Sequence, residues 1–327
     1  MARQGEPREP TVENIRRFWE GEAAGLGNTP EATIRDLFFR LHEIETLVPL
    51  VPEQSSLLDA GCGNGFGTLL LAPRARRVVA VDCSEGMLGW ARRLQDDAEH
   101  RRRLSAQHAR LRPLAAPRPE NVEFRLADVT QLDLGPERFE VVTTQRLLIN
   151  LPSRELQRRA LARLREHAAP GAVLLMAETT LQGYARSDAF RARVGLGALE
   201  RHWHNLYLDE DDLPGWQTLG WRADAVIGFE TYLFLSKVVY PAACGSDNVR
   251  FLSGANAAAM EVAAAFRTYG SAAEIGERAL LDLWVDRVRR KDEKEGAALG
   301  TWLRRHGREL GDWSGMGHQR LVLGRAV

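Results

Sequence analysis

Leu57-Leu58-Asp59-Ala60-Gly61-Cys62-Gly63-Asn64-Gly65 decides the fold class of this chain. A short apolar run ends on a carboxylate and passes directly into glycines at alternate positions. Such a turn lets backbone approach a ligand closely and directs amide N–H groups at it. What the loop lacks narrows the ligand. The dinucleotide fingerprint GxGxxG, started at Gly61, Gly63 or Gly65, needs its third glycine where this chain has Phe66, Thr68 or Leu70. A Walker loop needs Gly-Lys-Ser/Thr, and none follows. NAD, FAD and ATP are therefore disfavoured.

Working outward, residues 56–59, 77–82, 122–126, 139–144 and 172–178 read as short β-rich runs. Helical stretches and turn signals separate them, and a helix over 155–167 stops at Ala169-Pro170-Gly171. Strands alternating with helices imply a doubly wound parallel sheet. Two helices precede it, from Thr11 to about Glu22 and over 31–48. An Arg-rich helix is expected over 85–112, with a solvated face as its ordinary reading and an RNA-binding ridge as the sharper one. Residues 221–229 read as a sixth strand and 319–323 as a seventh. Between them the chain is mostly helical by periodicity, for example over 256–266 and 273–288. Residues 1–10 read as a frayed tail.

Two further carboxylates give the loop its meaning. Asp82 closes the second strand twenty-one positions after Gly61, where a carboxylate can accept both ribose hydroxyl hydrogens. Asp128 follows the third strand and can accept from an exocyclic amine such as adenine's. Glycines, acid and acid, in that order, read as adenosine without phosphates.

Through Leu57 to Gly65, Val79-Ala80-Val81-Asp82, Ala127-Asp128 and Pro170-Gly171, the chain resembles the class I (Rossmann-like) S-adenosylmethionine (SAM)-dependent methyltransferases. The resemblance covers residues 50–230 and the final strand. It implies a seven-stranded, doubly wound, mostly parallel α/β sheet with an antiparallel last strand, N-terminal helices, and a helical insertion between strands six and seven. The domains expected are an N-terminal helical lid (1–50), a SAM-binding core (51–230), a helical cap (231–317) and a final core strand (318–327), with lid and cap enclosing the active site. SAM is the implied cofactor, and Asp59, Gly61, Gly63, Gly65, Asp82, Met87, Asp128, Gln145 and Arg146 are its implied binding residues.

Catalytic candidates must stand near strand ends. Glu178 ends the fifth strand and is read as a general base or, equally, as a carboxylate capping a turn. Asn150 is an acceptor-binding or helix-capping residue. In the cluster His202-Trp203-His204-Asn205-Leu206-Tyr207, His204 is the preferred proton acceptor, and Tyr207 stands beside it. Tyr184 and His318 are weaker candidates. His202 and His204 lack a third ligand at fixed spacing, so no metal is expected.

Composition bounds the rest. Lys plus Arg and Asp plus Glu both number 44, which gives no global attraction to nucleic acid or anionic lipid. Cys62, Cys83 and Cys244 are odd in number and widely spaced, so no disulfide framework is expected. No apolar run approaches the roughly 20 residues that span a bilayer, and a cytoplasmic setting is expected. The Asp/Asn-Pro-Pro-Tyr/Phe motif of nucleic-acid amino-methyltransferases is missing after strand four. The resulting expectation is a methyltransferase acting on a small molecule. Three alternatives stand beside it: transfer or cyclisation of the aminocarboxypropyl arm of SAM with release of methylthioadenosine, RNA or protein methylation, and a catalytically silent SAM-binding partner subunit.

Overall fold

A computed structural model describes residues 9–117, 119–245, 253–269, 277–307 and 317–327. The expected tail lies largely outside them, as does the start of the helix expected over 273–288. Helix α1 (Val12–Leu26) is capped by Thr11, whose hydroxyl accepts from Asn14 N at 3.2 Å. Helix α2 (Leu37–Leu47) starts later than expected. Pro30–Ala32 forms only a 3-10 turn, and Asp36, accepting from Phe39 N at 3.1 Å, is the true N-cap.

The alternating core follows as β1 (Ser55–Ala60), α3 (Phe66–Leu71), β2 (Ala75–Asp82), α4 (Glu85–Asp96), α5 (Ala98–Gln107), β3 (Val122–Leu126), β4 (Phe139–Gln145), α6 (Arg154–Glu166), β5 (Ala168–Thr179), α7 (Leu181–Arg193) and β6 (Trp221–Gly228). The insertion contributes α8 (Glu230–Phe234), a π-helical turn (Leu235–Val239), α9 (Tyr240–Cys244), α10 (Gly254–Tyr269), α11 (Glu277–Lys291) and α12 (Glu293–His306), and β7 (Gln319–Ala326) closes the chain. The sheet order is β3-β2-β1-β4-β5-β7-β6, with β7 antiparallel to both neighbours, so the expected architecture is the observed one. Every residue of β1 is buried, as a parallel strand covered on both faces requires.

One expectation needs correction. The single helix over 85–112 is broken at Asp97, whose extended backbone (φ −87°, ψ 94°) ends α4 while its side chain caps α5 by accepting from His100 N at 2.8 Å. The described helices of the insertion also pack into the core. Tyr232, Leu233, Phe234 and Leu235 are buried at four successive positions, and a helix apolar all round belongs inside a core. They join Met260, Trp284, α2 and the sheet face carrying Leu57, Val141 and Leu175. The opposite face, with Leu58, Val142 and Met176, packs on α6.

The cap of α2 also ties it to the insertion. Asp36 Oδ1 accepts from Tyr232 Oη at 2.7 Å and Oδ2 from Asn256 Nδ2 at 2.9 Å, all three residues being buried. Asp36→Ala removes a cap (about 1 kcal/mol) and leaves two buried donors unpaired, so urea unfolding should show a loss of roughly 3 kcal/mol. A loss under 1 kcal/mol would contradict this account of the anchor.

Candidate cofactor and active site

The turn between β1 and α3 is built on left-handed glycines, with φ of +74° at Gly61, +55° at Gly63 and +74° at Gly65. At Gly61 a Cβ would come within 2.8 Å of Leu147, and at Gly65 within 2.8 Å of Ala91, so side chains are excluded on both conformational and steric grounds. Gly63 N donates to Asp82 Oδ2 at 2.8 Å and Ser84 N donates to Asp82 Oδ1 at 2.9 Å. These bonds aim the carboxylate while leaving lone pairs for two hydroxyls. Burial raises the Asp82 carboxyl above its ordinary range, and the Ser84 and Gly63 amides oppose that shift. Asp128 Oδ1 accepts from Thr130 N and Thr130 Oγ1, both at 2.8 Å, and its Oδ2 remains for a ligand.

These groups surround a cavity of about 630 Å³, within the range of small-molecule sites. Gly61, Gly63, Asp82, Met87, Asp128, Gln145 and Arg146 line it, which brings together seven of the nine expected cofactor residues. Asp59 and Gly65 are not in its wall. Asp59 is buried, with Oδ2 accepting from Thr68 Oγ1 at 2.6 Å and Oδ1 from Thr143 Oγ1 at 2.9 Å, so it joins β1 to α3 and β4. Gly65 permits the close packing of α3 on α4 and β3. A glycine-lined floor without space for Cβ, a carboxylate aimed by amides, a second carboxylate and buried Met87 together fit an adenosine ligand carrying no phosphates.

Helix α1 roofs this cavity with Ile15, Trp19 and Glu20. Trp19 Nε1 donates to Asn150 Oδ1 at 3.2 Å, Gly86 N to Glu20 Oε2 at 3.2 Å, and Trp90 Nε1 to Ala23 O at 2.9 Å. Asn64, inside the glycine loop, donates to Gly27 O at 3.0 Å and Thr29 O at 2.7 Å, so roof and floor are tied directly.

Sequence reasoning missed a buried charge cluster at the end of β4. Arg146 adopts φ +58°, a strained conformation for a residue with a side chain, and donates to Glu43 on α2. Arg40, 4% exposed, donates to Gln145 and lies 3.6 Å from fully buried Glu43. Burial, reinforced by Arg146, lowers the Arg40 guanidinium to about 10. Positions 40 and 43 sit inside the apolar pattern of α2, and a charged residue interrupting a buried helical stripe was the available signal.

The catalytic candidates separate. Asn150 lines the cavity, with its Nδ2 donating to Arg146 O at 2.5 Å. Glu178 is fully buried and outside the wall. Its Oε1 accepts from Thr144 Oγ1 (2.8 Å), Leu147 N (3.0 Å) and Leu148 N (3.1 Å), and its Oε2 from Ile149 N (3.4 Å). It therefore shapes the loop bearing Arg146, Leu147, Asn150, Leu151 and Pro152, all of which line the cavity. His204 packs behind the roof, its ring 4.3 Å from Phe18 and 5.9 Å from Trp19, and burial together with His202 pushes it down to about 4. Tyr207 stacks on Tyr184 at 4.6 Å, also outside the wall.

Several arginines of the 85–112 stretch are engaged within the fold. Arg101 is buried and donates to Leu94 O at 3.0 Å, Arg102 pairs with Glu99 at 2.7 Å, Arg110 pairs with Glu45 at 2.6 Å, and Arg93 lies 4.7 Å over the Trp90 ring. Among the described residues no three His, Cys, Asp or Glu side chains are grouped to hold a metal ion, and no helix is long and apolar enough to cross a membrane.

The methyltransferase domain family matches residues 58–176. A probable S-adenosylmethionine-dependent methyltransferase of Mycobacterium tuberculosis is 36% identical over 70 residues, which are 21% of this chain and 25% of that protein. The matched stretch thus spans about a quarter of the relative's length. Among solved structures, the N-methyltransferase NodS of Bradyrhizobium japonicum WM9 with S-adenosyl-L-homocysteine has a TM-score of 0.43 at 18% identity, covering 65% of this chain and 89% of that one. The putative methyltransferase in a Haloferax volcanii Trm112 complex has a TM-score of 0.48 at 12% identity, covering 95% and 97%. Residues 58–176 thus carry a methyltransferase domain of the class I, Rossmann-like SAM-dependent kind, for which SAM is the cofactor.

Asp82→Ala should weaken S-adenosylhomocysteine binding by roughly 10- to 100-fold, the worth of a hydrogen bond to a charged group. Calorimetry showing less than a threefold change would contradict the ribose assignment. Burial raises the Glu178 carboxyl to about 7, against the Thr144 hydroxyl and the loop amides, which lower it. With the folded value above the unfolded one of about 4.3, the stability from this group is complete below the unfolded value and is lost as pH rises through about 7. The melting-temperature difference between Glu178→Gln and the parent should therefore shift in favour of the variant from pH 4 to 8. A constant difference would remove Glu178 as a titrating group.

Proposed function

We propose that this chain transfers the methyl group of SAM to a small-molecule acceptor. The observation that carries this reading is the cavity itself, in which the glycine loop, Asp82 and Asp128 form one wall and Ile15, Trp19 and Glu20 of α1 form another. A pocket of about 630 Å³ lined partly by α1 suits an acceptor of small size.

Bound SAM supplies an electrophilic methyl on a sulfonium, attacked in line by the acceptor. The chain's own contribution is placement. Asp82 and Asp128 hold the two ends of the adenosine, and Met87 packs against its base. Gln145 and Arg146 stand at the end of β4, where the amino-acid arm belongs, with Arg40 and Glu43 behind them. Asn150 presents a carboxamide on the acceptor side, and Glu178 keeps its loop in shape. Alignment of this kind is worth several powers of ten in rate. Trp19 and Ile15 exclude water from the reacting centre. Of the expected proton acceptors, Glu178, His204 and Tyr207 act in this reading as supports of the wall and roof rather than as bases.

Chain-level chemistry is tested by mass spectrometry of the products formed from SAM with and without pools of metabolite acceptors. S-adenosylhomocysteine appearing only with acceptor is the expected result. Methylthioadenosine formed without acceptor would instead establish cleavage of the aminocarboxypropyl arm.

A further inference from the structure

A second group of polar side chains lies away from the cofactor cavity, where the insertion meets the start of β7. Lys237 sits in the π-helical turn between α8 and α9, a rare geometry that concentrates at functional sites. Its ammonium lies 3.8 Å from Asp36 Oδ2, beyond hydrogen-bond reach, and the Asp36 oxygens already accept from Phe39, Tyr232 and Asn256. Gln319 is 2% exposed. Its Oε1 accepts from Thr179 Oγ1 at 2.8 Å, yet its Nε2 has no acceptor. His318, beside the Tyr184 ring at 5.0 Å, has a shielded Nδ1 with no partner. Burial, with Lys237, Arg320 and Arg191 adding to it, holds that imidazole down at about 3, so it stays neutral at ordinary pH. The other carboxylates nearby, Glu210 and Glu230, are taken by Arg320 at 3.4 and 3.2 Å. The Lys237 charge is felt at His318, and Gln319 follows it in the chain, so a lysine ammonium paired only at 3.8 Å with Asp36, an orphaned amide N–H₂ and a neutral imidazole nitrogen stand on the adjoining π-helical turn and start of β7.

We propose that Lys237, Gln319 and His318 form a binding subsite for an anionic group, a carboxylate or a phosphate, carried by the acceptor. The sheet fixes its place. Gln145 of β4 pairs with Ala177 of β5, Ala177 with Leu321 of β7, and Gln319 stands at the same carboxyl end. Two inter-strand spacings put the subsite about 10 Å across the sheet from the end of β4. The anion would thus anchor an acceptor whose nucleophile reaches back to the methyl group. The role as acceptor subsite rests on the small-molecule reading above, whereas the anion binding itself does not.

The test is an NMR titration of the S-adenosylhomocysteine-saturated protein with inorganic phosphate and, separately, with acetate, following the Gln319 side-chain amide. Saturable shifts are expected, with a midpoint raised at least tenfold in Lys237→Met and in Lys237→Gln, while S-adenosylhomocysteine affinity stays within twofold. Whichever anion saturates at the lower concentration identifies the group as phosphoryl or carboxylate. No saturable shift with either anion, or the same midpoint in a folded Lys237 variant, overturns the subsite. Failure of the parent protein to bind S-adenosylhomocysteine would instead overturn the cofactor reading, so the two failures are distinct.

Discussion

The chain must pass from the end of β1 into α3 through a turn that has no room for side chains. Three left-handed glycines make that passage, and everything around the cofactor cavity is referred to it. Leu147 closes on Gly61, and Ala91 and Phe124 close on Gly65, so the turn fixes the approach of the β4 loop, α4 and β3. Asp59 completes the junction from below by bonding Thr68 and Thr143 in the dry interior. A buried carboxylate in that position is costly unless satisfied, and here both oxygens are. The most acidic-looking element of the motif is thus structural, while Asp82, one strand away, lines the cavity.

The same division of labour recurs at the end of β5. Glu178 gathers three successive amides and a hydroxyl, which makes the β4 loop a rigid wall rather than a mobile connection. That wall carries Asn150, which receives the Trp19 indole of the roof. Floor, wall and roof are therefore linked by side-chain bonds between segments 131 residues apart at the Trp19–Asn150 contact. The insertion acts at a distance. By holding Asp36 it fixes α2, and α2 supplies Arg40 and Glu43 behind the cofactor wall. Part of its contribution to the site is the placement of a helix.

The alternating sheet, its antiparallel last strand, the glycine turn and the presence of Asp82 and Asp128 at one cavity were legible because each depends on local chemistry. Residue-type periodicity marks a buried strand, and left-handed backbone demands glycine. The single long helix over 85–112 was misread because Asp97 serves two helices at once, as a stop and as a cap, which composition does not reveal. His204 looked like a base because histidine titrates near neutrality. Burial between Phe18 and Trp19 takes it out of that range, and burial is a property of the folded chain.

The sequence by itself determined the cofactor class and the sheet, since both follow from short motifs whose spacing a strand and a turn enforce. Only the tertiary structure decided which acids face the cavity and which are sealed into the frame. It also decided that the insertion joins the core, and that Arg40, Glu43 and Arg146 meet at the end of β4. These contacts join segments about 100 residues apart, and their chemistry depends on desolvation and orientation. No local pattern encodes either quantity. Both arise when apolar surfaces of distant elements close and leave the few polar groups between them to find partners or wait for a ligand.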